Sequence, residues 1–269
     1  MATEALEIKS FPYEGSLDDL ANKRYLAFEE KVNSFVAQLM NGYVPNNYEH
    51  TKVIHDPVWG TMMFYPWELQ IIDSPLLQRL RKISQVGLAV LTYPSAHHSR
   101  FEHTLGVMSV VTKMVNNINQ EQPKGKYADE NKVITNEDLF KMRFAALMHD
   151  VGHCFFSHLS ESIYGKLTPF VELKDSFEIF SGAKEHEIFA YIIVNCSNFK
   201  DFFKKFVKYP YSIDEDFFSD IGRMIVGAFI EPDLSDIDVA VPIKKYYLTQ
   251  IINGHFDADK LDYLRRDSY

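Results

Sequence analysis

Residues 137–153 read EDLFKMRFAALMHDVGH, and this stretch decides the fold. Its apolar residues recur at helical spacing, and Thr135 followed three residues later by Asp138 forms the capping box that starts a helix. The predicted helix carries the adjacent polar pair His149 and Asp150 behind an apolar run. Because an unpaired charge is costly to bury at the end of an apolar helix, we expect a partner for this pair. A bound metal ion would satisfy both side chains.

The N-terminal part of the chain predicts one amphipathic helix. Ser16 to Asp19 has the pattern of a helix start, and Asn41-Gly42 has that of a stop. We assign residues 1–45 to an N-terminal helical segment and residues 46–269 to the main domain. The apolar residues that recur at roughly helical intervals, and are expected to face the core, are Leu26, Phe28, Val32, Phe35, Val36 and Leu39.

The remaining sequence predicts a mainly α protein. Residues 52–64, KVIHDPVWGTMMF, contain two short apolar runs around an Asp-Pro and a Gly, which is typical of a small hairpin. Helices are predicted from Asp73 to Gly87, over 101–117 and over 186–195, and loops over 89–100 and 119–136. The predicted fold class is therefore mainly α, a helical bundle with one or two small β-hairpins.

The composition is that of an ordinary globular protein, with 46% hydrophobic and 24% charged residues. Lys and Arg number 28 against 37 Asp and Glu, a formal charge of -9, which argues against a surface that follows nucleic-acid backbones. The start MATEALEIKS lacks a signal-peptide pattern and no apolar stretch reaches about 18 residues, so we expect a cytoplasmic protein without a membrane partner. Cys154 and Cys196 form neither a CxxC pair nor a disulfide framework, which fits a reducing compartment.

Four residues far apart in the sequence have the donor groups to hold one divalent metal: His103, His149, Asp150 and Asp259. His103 falls in the first turn of the helix predicted over 101–117. Packing of two helices can therefore place three ligands around one ion, with Asp259 from a third element. Two imidazoles and two carboxylates suit Mn, Fe, Mg or Zn and leave open positions for water and phosphate oxygens, as phosphoester hydrolysis requires. The alternative is that His149 and Asp150 form a hydrogen-bonded structural pair.

The ordered series His103, His149-Asp150 and Asp259 resembles the HD superfamily of metal-dependent phosphohydrolases. Five blocks are similar to its deoxynucleotide triphosphohydrolase branch, which includes the sterile-alpha-motif and HD-domain dNTPase and the bacterial dGTPases: KVIHDPVWG, IIDSPLLQRLRKISQVG, YPSAHHSRFEHTLGV, ALMHDVGHCFFSH and FDADKLDYLRRDSY. The resemblance runs from about residue 52 to the end. It implies an HD-domain helical bundle, a divalent metal cofactor, and cleavage of dNTPs into deoxynucleoside and tripolyphosphate. It also implies a homo-oligomer.

The resemblance implies roles for individual residues as well. The four residues of the ordered series become the metal ligands. His186 becomes a proton donor beside the leaving oxygen, Glu161 its orienting partner, and His153 a further catalytic histidine, one helical turn beyond His149 on the same face. Substrate contacts fall on residues that meet the phosphates, Arg100, His158 and Lys260, and on residues that hold the deoxyribose, Gln85, Tyr263 and Asp267.

Some of these assignments have alternatives. His186 at a helix start is also explained as a surface residue, Tyr263 as a core aromatic, and His153 and His158 as groups that hydrogen-bond to the metal ligands. The best-known family member has an aspartate in place of Glu161 and a glycine-rich run in place of residues 87–94, so we expect a different sugar and base side of the pocket. Asp73, Arg79 and Arg81 lie in a block that some members use for a regulatory nucleotide, a role we do not transfer.

Family members continue beyond the position of Tyr269, so we expect this chain to be a fragment of a longer protein. The alternatives are a processed chain and a minimal domain with a relaxed or absent triphosphate site. Two other functions stay open at this point. One is an HD phosphohydrolase acting on nucleoside monophosphates, cyclic nucleotides or nucleic-acid ends, and the other is a regulatory nucleotide-binding module without turnover.

Overall fold

The computed structural model of the chain describes residues 19–93, 95–120, 134–228 and 242–268. Over these ranges the protein is mainly helical with one two-stranded sheet, which confirms the predicted fold class. The helices are α1 (Asp19–Leu39), α2 (Pro66–Ile72), α3 (Pro75–Gln78), α4 (Arg100–Gln120), α5 (Asn136–Met148), α6 (His158–Tyr164), α7 (Thr168–Ser176), α8 (Glu185–Asn195), α9 (Ser197–Phe206), α10 (Phe217–Val226), α11 (Pro242–Ile252) and α12 (Ala258–Asp267). The strands are β1 (Lys52–Asp56) and β2 (Gly60–Phe64).

Short 3₁₀ turns cover Arg79–Lys82, Gly87–Leu91 and Glu178–Phe180. The predicted helix start at Ser16 and residues 121–133 of the predicted polar loop lie outside the described residues. In the described part of the chain, every helix is too short or too polar to cross a bilayer.

The hairpin predicted over 52–64 is confirmed. Its strands pair antiparallel with Asp56 opposite Gly60, and Phe64 at the end of β2 is fully buried. One carboxylate oxygen of Asp56 accepts the backbone N–H groups of Val58 at 2.9 Å and Trp59 at 2.8 Å, which closes the turn. The other oxygen of this carboxylate remains available for a long-range contact with α12.

The core is centred on α4 and α5, which pack on each other. α10 lies against α5 and α8, and α12 lies against α4. Every residue of α5 from Met142 to Met148 is buried, and all of them except Arg143 are apolar, as expected of a helix segment inside the molecule. The end of α5 therefore lies in the interior. The helices predicted over 101–117 and 186–195 are confirmed as α4 and α8.

The α1 helix packs on α7, α8 and α9, as an amphipathic helix should, and the stripe that faces the core overlaps the predicted one at Val32 and Val36. Its buried residues are Tyr25, Val32 and Val36, at spacings of seven and four residues. Leu26 and Phe35, which were expected to face the core, are 41% and 44% exposed, so that part of the prediction is wrong. The division of the chain at residue 45 stays a prediction.

The helix predicted from Asp73 to Gly87 is much shorter in the structure. Ser74 caps its start as expected, but α3 ends after one turn and a 3₁₀ turn follows. The chain then becomes extended at Ile83, whose carbonyl accepts the N–H of Arg100 at 2.9 Å. This contact at the start of α4 draws the chain out of the helix.

The end of α5 also differs from the prediction. The helix stops at Met148, and tight turns follow, in which the N–H of His153 bonds to the carbonyl of Asp150 at 3.1 Å. The prediction that His153 lies one helical turn beyond His149 on the same face is therefore wrong.

A close approach by α8 explains why the helix stops there. A Cβ atom on Gly152 would lie 2.0 Å from the carbonyl oxygen of His186. Only a glycine fits in this turn, and its presence lets the start of α8 pack directly against the residues that follow α5. The turn thereby places His186 beside His153.

Candidate metal centre and active site

The four predicted metal ligands lie together, and we call them the metal cluster. His103 is in the first turn of α4, His149 and Asp150 directly follow α5, and Asp259 is in the first turn of α12. The Nε2 atom of His103 is 3.4 Å from Nε2 of His149, 2.9 Å from Oδ1 of Asp259 and 3.8 Å from Oδ2 of Asp150. The Nε2 atom of His149 is 3.5 Å from Oδ1 of Asp150 and 3.9 Å from Oδ1 of Asp259.

In both imidazoles of the metal cluster, Nδ1 is engaged by a residue outside the cluster. Nδ1 of His149 donates to the carbonyl of Ala146 at 2.7 Å, and Nδ1 of His103 lies 2.7 Å from the carboxylate of Asp262. In a neutral imidazole, as in a metal-bound one, a proton on Nδ1 leaves Nε2 as the ligand atom, and both Nε2 atoms face the centre of the cluster.

Charge and geometry both fit a divalent metal. Two nitrogen ligands that each lie about 2.1 Å from one ion are themselves about 3 to 3.4 Å apart. Burial lowers the pKa of His103, but hydrogen bonds with Asp259 and Asp262 outweigh burial and raise this pKa to about 10. The carboxylates around His103 therefore strongly favour a positive charge at this site. His103, His149 and Asp150 lie close enough together to hold an ion, and Asp259, 27% exposed, marks the side that is open to solvent.

Arg100 is buried beside the metal cluster. Its Nη1 donates to Asp150 at 2.7 Å, its Nε donates to the hydroxyl of Ser157 at 2.8 Å, and its Nη2 lies 3.5 Å from Nε2 of His158. Burial alone would raise the pKa of Asp150, yet Arg100 and the neighbouring histidines hold it well below its usual range. Arg100 thus keeps Asp150 ionised, and its contact with a phosphate stays a prediction.

A second group of residues, which we call the Glu161 cluster, adjoins the first. It consists of Glu161 and three histidines whose Nδ1 atoms face its carboxylate: His153 at 2.8 Å, His158 at 3.0 Å and His186 at 2.9 Å. The rings of His153 and His186 stack with centroids 3.8 Å apart. Nε2 of His153 lies 3.2 Å from Oδ1 of Asp150, so this histidine joins the two clusters.

The Glu161 cluster is buried except at His158, whose side chain is 61% exposed. Burial alone would raise the pKa of Glu161, but its three histidine contacts hold it well below its usual range. Burial lowers the pKa of His153 to about 4 and also lowers the pKa of His186. The alternative in which His186 is a surface residue is wrong, because its ring is buried against an ionised carboxylate.

Two of the residues predicted to hold the sugar are linked through a histidine that we did not predict. The N–H of Gln85 donates to the carbonyl of His98 at 3.2 Å, and the ring of His98 lies 3.0 Å from Asp267. The side-chain oxygen of Gln85 is buried without a hydrogen-bond partner among the described residues. Tyr263 is half-buried. Contacts of these residues with a sugar stay predictions.

The predicted phosphate ligand Lys260 is engaged within its own segment. Its ammonium donates to the carbonyl of Gly254 at 2.7 Å and to Asp257 at 2.6 Å. Asp257 is the N-cap of α12 and also accepts the N–H of Lys260 at 2.8 Å. In this arrangement Lys260 stabilises the start of the helix that carries Asp259, and a phosphate would have to compete with Asp257 for its ammonium.

Sequence reasoning missed two residues of the site. Asp262 holds Nδ1 of His103, and its spacing of three residues after Asp259 was the available signal. Ser157 donates its hydroxyl to the carbonyl of Ser84 at 2.8 Å and has a φ of 50°. A non-glycine residue with positive φ is strained and is found most often at functional sites, but no sequence pattern announces it.

Arg79, from the block that some family members use for a regulatory nucleotide, points inward. Its Nη1 donates to the carbonyl of His153 at 2.8 Å and its Nη2 to that of Val151. The guanidinium therefore holds the turn after α5. The other two residues of the block are also engaged within the chain, since Arg81 lies over an aromatic ring of α4 and Asp73 accepts a tyrosine hydroxyl.

Residues 100–209 match the family model described as HD domain. The chain belongs to the HD-domain family. The matched range contains the Glu161 cluster and three residues of the metal cluster, His103, His149 and Asp150. Asp259 lies beyond it, so α12 completes the metal cluster of the HD domain from outside the matched range.

Relatives of this HD domain extend the similarity over most of the chain. It is 33% identical over 228 residues to the deoxynucleoside triphosphate triphosphohydrolase SAMHD1 of Bos taurus, a match to 81% of this chain and 35% of the relative. It is 30% identical over 252 residues to that of Homo sapiens, 91% of this chain and 36% of the relative. An uncharacterized protein of Methanocaldococcus jannaschii is 32% identical over 218 residues, 81% of this chain and 34% of the relative.

A solved structure shares the fold of this HD domain. The structure of a hypothetical protein from Aquifex aeolicus is similar with a TM-score of 0.55 and 27% identity, over 82% of this chain and 46% of that chain. The chain spans about a third of the length of the curated relatives it matches.

Proposed function

We propose that this HD-domain protein is a metal-dependent phosphohydrolase that converts deoxynucleoside triphosphates into deoxynucleoside and tripolyphosphate. One observation carries the proposal: the Nε2 atoms of His103 and His149 converge with the carboxylates of Asp150 and Asp259, beside a buried pair of His186 and Glu161. The first group supplies metal ligands and the second supplies a positioned proton donor. Phosphoester hydrolysis needs both.

The four residues of the metal cluster would hold a divalent ion, which when bound acts as a Lewis acid and lowers the pKa of water. Arg100 keeps Asp150 ionised by direct contact. Glu161 holds Nδ1 of His186 and stabilises the protonated ring, so Nε2 of the imidazolium is the atom that gives a proton to the leaving oxygen. The open side at Asp259 and His158 gives the substrate its approach.

The triphosphate substrate is supported by similarity. The Bos taurus and Homo sapiens relatives are named as deoxynucleoside triphosphate triphosphohydrolases. Arg100 and Lys260 lie close to metal ligands in the sequence, and their cations are the ones proposed to meet phosphate oxygens. The proposed assembly, as in the resemblance, is a homo-oligomer.

A second candidate is an HD phosphohydrolase that acts on a shorter phosphate ester, such as a nucleoside monophosphate or a cyclic nucleotide. The observation that favours it is the ammonium of Lys260, which is paired with Asp257 and Gly254 rather than left free for a phosphate chain. A small ester needs only the metal cluster and Arg100.

Product identification tests both candidates. Metal-free protein is incubated with each dNTP, a deoxynucleoside monophosphate and a cyclic nucleotide, each with Mn²⁺, Mg²⁺, Fe²⁺ or Zn²⁺. Phosphorus NMR identifies the phosphate products, and chromatography identifies the nucleoside. The first proposal predicts tripolyphosphate and deoxynucleoside. Orthophosphate or a nucleoside monophosphate as the only product supports the second, and nucleotide binding without any product over long incubation contradicts both.

A further inference from the structure

Helix α12 contacts both nitrogens of one imidazole. Asp259 and Asp262 are three residues apart and therefore project from the same face of the helix. Oδ1 of Asp259 lies 2.9 Å from Nε2 of His103, and Oδ2 of Asp262 lies 2.7 Å from Nδ1. The ring is completely buried between them. A single helix thus supplies one residue of the metal cluster and fixes the orientation of another.

Asp262 has hydrogen-bond donors on both of its oxygens. Oδ1 accepts from Nη2 of Arg266 at 2.9 Å and from the indole N–H of Trp59. Oδ2 accepts from Nε of Arg266 at 2.9 Å and faces Nδ1 of His103. An ionised carboxylate only accepts, so the proton of this contact belongs to Nδ1. In a neutral imidazole, that proton leaves Nε2 as the ligand atom.

The same network reaches the hairpin. Nη1 of Arg266 donates to Oδ2 of Asp56 at 2.8 Å, while Oδ1 of Asp56 closes the hairpin turn at Val58 and Trp59. All three of these ionised side chains, Asp56, Asp262 and Arg266, are buried. Asp56 of the β-hairpin therefore fixes the position of Arg266. Arg266 in turn fixes Asp262, and Asp262 fixes the ring of His103.

The sequence of α4 is adapted to this contact. Gly106 lies three residues after His103, and a Cβ atom there would be 1.9 Å from Oδ1 of Asp262 and 2.4 Å from Nη2 of Arg266. Only a glycine allows α12 to approach α4 this closely. The close packing of these two helices at Gly106 brings Asp262 onto the ring.

We propose that Asp262 is a positioning residue that, fixed by Arg266 and by Asp56 of the hairpin, presents Nε2 of His103 to the metal and so sets the affinity of the metal cluster. The inference rests on the proposed function in one respect, because it requires that this cluster holds an ion. Carboxylate partners of metal-bound histidines contribute about 10- to 100-fold to metal affinity in other proteins.

The experiment titrates the chelator-treated chain of residues 1–269 with Mn²⁺ in a calorimeter, with thermal unfolding of each variant recorded in parallel. Asp262→Asn should raise the dissociation constant about 10- to 100-fold while one site per chain remains. Asp56→Asn should raise it less, and should raise it no further when combined with Asp262→Asn, because Asp56 acts through the same carboxylate.

Glu68→Gln is the matched control, because Glu68 is also a buried carboxylate paired with an arginine, Arg143, but its carboxylate bonds to Arg143 and Tyr65 rather than to the metal cluster. It should lower the unfolding temperature without changing the Mn²⁺ dissociation constant. An unchanged constant in folded Asp262→Asn overturns the inference. If that variant does not fold, an unchanged constant in Asp56→Asn overturns it instead. Failure of the proposed function is distinct, since it would appear as absent hydrolysis with normal metal affinity.

Discussion

The metal cluster and the Glu161 cluster are built from the same residue types, but opposite sides of their imidazoles face inward. In the metal cluster, Nε2 of His103 and Nε2 of His149 face each other at 3.4 Å, and both Nδ1 atoms are engaged outside. In the Glu161 cluster the Nδ1 atoms face one carboxylate, and that of His186 lies 2.9 Å from Oε1 of Glu161. Converging lone pairs need a cation, whereas the carboxylate of Glu161 satisfies Nδ1 of His158 and of His186 by hydrogen bonds.

Each cluster has enough histidines and carboxylates to bind an ion, so residue composition does not distinguish them. Their different ring orientations assign metal binding to one cluster and proton donation to the other. The rings of His153 and His186 stack at an interplanar angle of 18°, with both Nδ1 atoms on the same oxygen of Glu161. That arrangement suits hydrogen bonding and the holding of a proton. Ring orientation, more than residue type, therefore distinguishes a metal centre from a proton donor.

The largest effect is expected from removing a residue of the metal cluster. Asp150→Ala and His103→Ala each delete a ligand, so bound metal should fall from one ion per chain to near zero and turnover to the rate without protein. Metal is measured by plasma mass spectrometry and turnover by product formation. The exposed His50, replaced by Ala, is the control and should retain both. A full complement of metal in Asp150→Ala would break the distinction between the clusters.

His186→Ala should keep the metal and slow the chemistry. Loss of a general acid costs roughly 10²- to 10⁴-fold in rate, and the ring of His186 faces Glu161 rather than the metal cluster. Turnover and metal content are measured on the same preparation. Loss of metal comparable with that in Asp150→Ala would show that His186 is a ligand or a structural residue.

Glu161→Gln should have a smaller effect than His186→Ala. The amide keeps the shape of the side chain but loses the charge that holds three histidines, so the proton donor remains present and is less well oriented. We expect a fall in kcat of about 10²-fold or less, with metal retained. The double variant should be no slower than His186→Ala alone, because Glu161 acts through that ring. If the losses in kcat of the two single variants add in the double variant, Glu161 also acts independently of His186.

Gly106→Ala should give the smallest change, confined to the contact between α4 and α12. Its methyl group would overlap the carboxylate of Asp262, so the free energy of unfolding should fall by about 1–3 kcal/mol and Mn²⁺ should bind more weakly. Gly182→Ala is the control, since a Cβ there has no neighbour within 4 Å among the described residues and should change stability by less than about 0.5 kcal/mol. Equal stabilities of the two variants, measured by urea unfolding, would contradict the close packing.

Local patterns predicted much of the fold. The capping box at Thr135 starts α5 as expected, and the hairpin follows from its two apolar runs. The ends of α3 and α5 depended on distant contacts, such as α8 packing on Gly152, and so were placed too late. The buried face of α1 was partly misjudged because Tyr25, an aromatic with a polar end, faces the core in place of Leu26.

In the candidate site, too, local sequence patterns were predictable and long-range contacts were not. Four candidate ligands were recognisable in the sequence, and the structure brings them together. His103, His149 and Asp150 lie at the ends of helices that the sequence predicted, and Asp259 lies at the start of α12. The residues that orient them were not recognised, since Asp262 meets His103 across 159 positions and Arg79 bonds to backbone carbonyls that every residue possesses. Long-range hydrogen bonds leave no periodic trace in a single sequence.

The position of the metal is tested most directly by diffraction from crystals grown with Mn²⁺, recorded at the manganese absorption edge. We predict one anomalous peak per chain, within bonding distance of Nε2 of His103, Nε2 of His149 and the carboxylates of Asp150 and Asp259, and no peak among the histidines around Glu161. A peak in the Glu161 cluster with none between His103 and His149 would contradict this account of the protein.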